Sequence, residues 1–91
     1  MTITVLNLNG TISMIDISNK DMLLATMQSI VGGYIEVASV INDKAVIVNE
    51  EGRIYGLPVN EKANEILRVS GNKSMDPILG TAILVDIKDL E

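Results

Sequence analysis

The sequence predicts an α+β fold: a mostly antiparallel β-sheet with two helices packed on it, in the order ββ-α-βββ-α-β. Runs of Val, Ile and Thr are joined by connections too short for the crossovers that parallel strands need. Two other segments place apolar residues at helical spacing between capping residues. A chain of 91 residues fits one domain, 1–91.

The first element is predicted to be a β-hairpin over residues 1–17. Strand-forming residues fill 2–6 and 11–17, and Asn9-Gly10 lies between them. This dipeptide favours a type I′ turn, in which both central residues have φ > 0. Asn9 and Gly10 could instead line a pocket, but the turn is the favoured interpretation.

A helix is expected next, with Ser18 as its N-cap and Asp21 in its first turn. It should end at Gly32, since glycine suits the residue after a helix end. Its methionines could form an adaptable binding face, although a domain without Phe or Trp needs them in the core. Its apolar stripe consists of Leu23, Met27, Ile30 and Val31.

The hydrophobic pattern is interrupted twice in the middle of the chain, at Gly32-Gly33 and at Gly56-Leu57-Pro58. Gly32-Gly33 is interpreted as a helix stop followed by a turn, and the alternative is a ligand loop with uncovered amides. Pro58 pushes its predecessor toward extended geometry, and Asn60 is a good N-cap. The second helix is therefore predicted from Asn60 to about Ser70, and its first-turn amides could also bind an anion.

The remaining strands are predicted at 34–41, 45–48, 53–55 and 81–87, with a polar loop at 71–74. The first three should form an antiparallel meander. The last strand should insert into or pair with the sheet, because it is too apolar for an exposed edge. Both helices are expected on one face of the sheet.

Composition excludes several classes of function. The net charge of −5 argues against duplex nucleic acid, and no apolar run is long enough to span a membrane. The absence of His and Cys removes Ser–His and Cys–His nucleophiles and suits a reducing cytoplasm. With 47% hydrophobic residues in a small chain, a homo-oligomer, most simply a C2 dimer, is expected to cover apolar surface.

Several short motifs lie in the middle and C-terminal parts of the chain. They are Val31-Gly32-Gly33-Tyr34-Ile35-Glu36, Asn49-Glu50-Glu51-Gly52, Gly56-Leu57-Pro58-Val59-Asn60, Ala63 and Asp76-Pro77-Ile78-Leu79-Gly80-Thr81-Ala82. Together they resemble a known family of small proteins, mostly encoded by phages and mobile elements, that carry a domain of unknown function. The resemblance covers about 30–85 and implies a phage setting, in which small acidic proteins counter host defence and some act as sponges for nucleotide immune signals.

These motifs supply the candidate binding residues. Tyrosines could stack on a base or belong to the core, and asparagines could read a base or ribose or cap a helix. Carboxylates could bind Mg²⁺ or serve as solvated acids, and Arg or free amides could meet phosphate. The predicted ligand-binding set is Gly32, Gly33, Tyr34, Glu36, Asn49, Arg53, Tyr55, Asn60, Asn64 and Asp76.

Three functions remain open. The first is a cytoplasmic sponge that binds a small nucleotide signal of the cyclic ADP-ribose class without turnover, with no cofactor, metal or catalytic residue. The second is an acidic inhibitor that binds a host defence enzyme. The third is a metal-dependent phosphodiesterase that uses Asp and Glu, although no metal-ligand spacing is visible.

Overall fold

A computed structural model of the chain describes residues 1–71 and 76–91. Five strands and two α-helices follow one another, with short 3₁₀ helices at Lys20–Met22 and Ile87–Leu90. Most of the predicted polar loop at 71–74 lies outside the described residues. The main elements are β1 (Thr2–Leu6), β2 (Ile12–Asp16), α1 (Leu23–Val31), β3 (Ile35–Ile41), β4 (Lys44–Asn49), α2 (Glu61–Val69) and β5 (Ala82–Asp86).

The strands form one antiparallel sheet in the order β2-β1-β5-β4-β3. The last strand, β5, pairs with both β1 and β4, as its apolar sequence predicted. Its residues Ala82 and Ile83 are fully buried. The α+β class and the antiparallel sheet with two helices packed on it are confirmed.

The two helices pack on opposite faces of the sheet, so the prediction that they share a face was wrong. Met27 of α1 lies in one buried cluster with Ile47 and Ile83. Leu67 of α2 lies in a second cluster with Val46. Because successive strand residues point to opposite faces, the apolar run in β4 serves both helices.

Between the two α-helices the chain forms the strands β3 and β4 and then one isolated bridge position at Val59. The segment 53–55, which the sequence predicted as a returning strand, lies in consecutive turns. Backbone bonds from Tyr55 N to Glu51 O (3.0 Å) and from Leu57 N to Gly52 O (2.9 Å) close these turns. The chain then makes one antiparallel bridge between Val59 and Leu79.

The helix boundaries follow two of the three predicted capping residues. Gly32 ends α1 with φ 82°, and the Asn60 side chain caps α2 through the Ala63 amide. Ser18 is not the first cap. Asn19 takes that place and accepts a hydrogen bond from Asp21 N (3.0 Å), because a 3₁₀ turn precedes α1.

The hairpin turn differs from the predicted type I′ form. Gly10 has φ 88°, while Asn42 is the non-glycine residue with positive φ in the described chain. Asn9 therefore lacks the positive φ that a type I′ turn requires. The Asn9 side chain instead accepts from Thr11 N (3.0 Å), which favours a wider loop.

Within the described residues, no helix is both long and apolar enough to cross a membrane. Each α-helix has nine residues, and crossing takes about 20.

Candidate functional site

An open cleft of about 490 Å³ lies beside the edge strand β3. The register of β3 against β4 shifts between Val37 and Ser39, which leaves Ala38 as a bulge at the wall of the cleft. Bulges bend a strand and redirect its side chains, and they are frequent beside binding sites. The cleft is lined by Glu36, Val37, Ala38, Val48, Asn49, Glu50, Gly52, Arg53, Asp76, Pro77, Ile78 and Leu79.

An ion pair joins two of the lining segments. The Arg53 guanidinium lies 3.1 Å from the Asp76 carboxylate, and the two side chains are 73% and 75% exposed. Pairs this exposed contribute only about 0–1 kcal/mol to stability because water competes for both partners. The guanidinium can therefore exchange Asp76 for another anion at small cost.

Carboxylates outnumber basic groups around the cleft. Glu36, Glu50 and Asp76 line it together with Arg53. Glu36 is paired with Val48, which belongs to the α2 cluster, so its side chain shares the α2 face of the sheet. Such a site suits ligands that donate hydrogen bonds, including hydroxyl groups. In residues 1–71 and 76–91, no group of three or more acidic side chains is arranged to hold a metal ion.

Asn49 lines the cleft but is buried and fixes the backbone. Its Nδ2 donates to Val31 O (3.1 Å), and its Oδ1 accepts from Glu51 N (2.8 Å). Both bonds tie the end of β4 to the end of α1 and to the following turn. Part of Asn49 can still form the cleft wall, but its amide group is already engaged.

The two glycines after α1 serve different purposes. Gly32 alone has positive φ, whereas a Cβ on Gly33 would lie 3.0 Å from the Asn49 amide nitrogen. Both glycine N–H groups donate to Gln28 O, at 2.9 and 3.1 Å. The amides that could have met a phosphate are therefore engaged by the helix end, and neither glycine lines the cleft.

Asn60 and Asn64, here called the asparagine clamp, hold the segment that follows α2. Asn60 is fully buried and donates to Leu6 O (2.8 Å) and Gly80 O (2.9 Å). Asn64 accepts from Ile78 N (3.0 Å) and donates to Ile78 O (3.2 Å). These bonds position the segment 76–80 as one wall of the cleft, but neither asparagine lines it.

The two tyrosines lie outside the core and outside the cleft lining. Tyr34 is 67% exposed and Tyr55 is 63% exposed. Each is joined by a backbone hydrogen bond to the turn after β4, from Glu50 N to Tyr34 O (2.9 Å) and from Tyr55 N to Glu51 O (3.0 Å). These bonds place the backbone of both residues next to the turn after β4, and both rings are exposed to solvent.

Sequence reasoning identified four lining residues, namely Glu36, Asn49, Arg53 and Asp76, and missed the apolar part of the cleft. Val48 and Ile78 are buried, while Val37 is half exposed. The available signal was the apolar character of 34–41, where Val37 alternates with Glu36 along the predicted strand. No local pattern in the sequence indicates that β3 lies near the segment 76–79, because the asparagine clamp sets the position of that segment.

Comparison with known proteins assigns a family but no activity. The chain belongs to the DUF3846 family, a domain of unknown function, whose family model matches residues 1–91. The match includes the N-terminal hairpin and the first helix, which carried no motif in the sequence. No curated protein and no solved structure matches the chain.

Proposed function

We propose that this protein is a phage-type anti-defence protein of the host cytoplasm. In this proposal it binds a small nucleotide signal of the cyclic ADP-ribose class and sequesters it without turnover. The carrying observation is the cleft of about 490 Å³ with an exchangeable Arg53–Asp76 pair at its wall. Small-molecule sites typically measure about 300–1,000 Å³. The phage setting rests on the family resemblance.

Arg53 is the group proposed to bind phosphate. Its planar guanidinium can present two N–H donors to two phosphate oxygens once Asp76 moves aside. The other wall groups limit how much negative charge the ligand can carry, since Glu36 and Glu50 also line the cleft. A ligand with several hydroxyl groups for each phosphate fits this balance better than a polyphosphate.

The carboxylates and tyrosines are assigned to the remaining parts of the ligand. Glu36 and Glu50 can accept hydrogen bonds from ribose hydroxyls, the role that an acidic residue has in dinucleotide-binding folds. The exposed rings of Tyr34 and Tyr55 can stack on the base, which contributes about 1–3 kcal/mol per base in single-strand binding. Cyclic ADP-ribose supplies a base, two riboses and a pyrophosphate.

Retention without turnover is supported by the chemistry of the chain. It contains no His and no Cys, so the common general base and the thiol nucleophile are absent. The cleft carboxylates can bind hydroxyl groups without attacking them. The ligand should therefore be recovered intact after the protein is denatured.

Isothermal titration with cyclic ADP-ribose tests the proposal. Replacing Arg53 by Ala should weaken binding by about tenfold to a hundredfold, because a hydrogen bond to a charged group contributes about 1.5–3 kcal/mol. Arg68→Ala is the matched control, since it removes the same charge from α2, outside the cleft lining. Equal losses in both variants, or no binding by the wild type, would reject the cleft as the nucleotide site.

A second candidate is the acidic inhibitor of a host enzyme, and the β3 edge favours it. Val37 and Val40 are 52% and 48% exposed on this strand, beside Glu36. A basic surface of a partner could contact these exposed side chains and the neighbouring carboxylate. Loss of partner binding in Val40→Lys, with no nucleotide binding by the wild type, would favour this candidate. Recovery of a cleaved nucleotide would instead favour the phosphodiesterase.

A further inference from the structure

The two edges of the sheet differ in how they are protected against pairing. β3 carries a bulge and the charged residue Glu36. β2 pairs with β1 without a register shift over its whole length, and its only charged residue is Asp16 at its end. Bulges, charges and Pro are the usual devices that block an edge. β2 has none of them in its central part.

The hairpin register shows which backbone groups of β2 point away from β1. Met1 and Ile17 exchange both backbone bonds, at 3.0 and 2.7 Å. Hydrogen-bonded and non-bonded pairs alternate along an antiparallel ladder. Ile15 and Ser13 therefore bond to β1, whereas the N–H and C=O groups of the alternate residues point outward. These alternate residues are Ile12, Met14 and Asp16.

Apolar side chains accompany these outward backbone groups. Met14 is 68% exposed and Ile12 is 52% exposed. Met14 pairs with Thr4, and Thr4 pairs with Leu84 of β5, so the three form a row across the sheet on its α2 face. Thr4 and Leu84 are only partly buried. The outer end of this row, at Met14, is exposed to solvent.

We propose that β2 pairs antiparallel with β2 of a second copy, about a two-fold axis that passes beside Met14. In this arrangement Met14 faces Met14 of the second copy, and Ile12 faces Asp16. The three outward-pointing residues of each strand then meet the same three residues of the other strand. An antiparallel pairing centred on one residue is self-complementary, because a two-fold axis relates the two strands. The pairing therefore forms a closed C2 dimer.

The charge distribution favours a second copy as the occupant. The chain carries a net charge of −5, yet β2 has one acid. In the centred register the two Asp16 side chains lie four strand positions apart, about 13 Å. This separation exceeds the Debye length of about 8 Å at physiological salt. The Met1 ammonium also lies 3.8 Å from Asp16 and offsets part of its charge.

Sedimentation equilibrium at micromolar concentration tests the proposal. The wild type should sediment at twice 9.8 kDa, and Met14→Pro should sediment at 9.8 kDa. Proline at this position removes an outward N–H that β1 does not use, so the subunit should keep its fold. Circular dichroism checks that fold. A wild type that stays at 9.8 kDa would overturn the proposal.

Met14→Lys supplies an independent variant if the proline variant does not fold. It leaves the backbone donors in place but sets two like charges opposite each other on the axis, which is destabilising. The dimer dissociation constant should rise at least about tenfold. Val40→Lys is the matched control on the β3 edge and should stay dimeric. Dissociation in Val40→Lys but not in Met14→Lys would assign the interface to β3 and overturn the proposal.

Discussion

The asparagine clamp and the Arg53–Asp76 pair both anchor the segment 76–80, but they do so in opposite environments. Asn60 is fully buried and joins Leu6 O, Gly80 O and Ala63 N. Both side chains of the ion pair are more than 70% exposed. The clamp therefore fixes where the segment lies, whereas the ion pair can exchange its partners.

This difference separates structural polar residues from candidate binding residues. Opening the clamp would break several buried hydrogen bonds, and each buried polar group left unsatisfied costs about 1–3 kcal/mol. Opening the ion pair only returns two charges to water. A ligand can use the second kind of contact but not the first. Position in the sequence would not have distinguished the two asparagines from Arg53 and Asp76, since all four residues lie in or near α2.

The largest predicted effect comes from breaking the clamp. Asn60→Ala removes an N-cap and the side-chain hydrogen bonds of three backbone groups, so the free energy of unfolding should fall by about 3 kcal/mol or more. Asn19→Ala is the control, because it removes a cap from an exposed 3₁₀ turn. Urea unfolding measures both variants. Equal losses would show that burial of Asn60 has no special role.

A second prediction concerns the close packing of the clamped segment. Gly80 has φ 78°, and a Cβ there would lie 2.8 Å from Leu57 Cδ1. Gly10 has φ 88° with open space around it. Gly10→Ala should therefore cost only the backbone strain of about 1–2 kcal/mol, and Gly80→Ala should cost more. Thermal unfolding that places Gly10→Ala at the lower melting temperature would contradict this packing.

Local signals in the sequence predicted most elements of the fold. Asn60 and Gly32 marked helix ends because capping depends on near neighbours. Hydrophobic periodicity could not show on which face of the sheet each helix packs, since the apolar run in β4 is compatible with a helix on either face. The short pattern at 53–55 was overridden by backbone turns, including the bond from Gly56 N to Arg53 O (3.2 Å).

The site was less accessible to sequence reasoning because it is formed by distant segments. Glu36 and Asp76 were chosen for their chemistry, and the fold brings both to one cleft. Asn64 belongs to the predicted ligand-binding set as an asparagine that could read a base or a ribose. Its side chain in fact donates to Asn60 O (2.7 Å) and bonds to Ile78. Only the tertiary contacts distinguish these cases.

A third prediction concerns the effect of the Arg53–Asp76 ion pair on nucleotide affinity. Asp76→Asn removes a competing carboxylate from Arg53, so nucleotide affinity should rise several-fold. The ion pair itself should contribute less than about 1 kcal/mol to stability because both of its side chains are exposed. Asp21→Asn, at an exposed position on the first 3₁₀ turn, is the control and should leave affinity unchanged. Weaker binding by Asp76→Asn would show that this carboxylate is itself a ligand contact.

The smallest predicted effect is on the pH dependence of stability and involves a different, partly exposed ion pair, between Lys44 and Asp86. The hydrogen bond from Lys44 lowers the pKa of Asp86. The resulting stabilisation is present above the ordinary pKa of aspartate and is lost as pH falls through the lower folded pKa. Asp86→Asn should therefore flatten the acid side of the stability curve, as followed by thermal unfolding. An unchanged acid limb would contradict a stabilising pair.

The most direct test of the central claim is a nucleotide titration of ¹⁵N-labelled protein followed by NMR. Cyclic ADP-ribose should shift the amide signals of 36–38, 50, 52–53 and 78–79, which belong to residues that line the cleft. The buried amide of Ala63, which is bonded to Asn60, should move little. Shifts confined to other surfaces, or no shift at millimolar nucleotide, would contradict the claim that this cleft is the binding site.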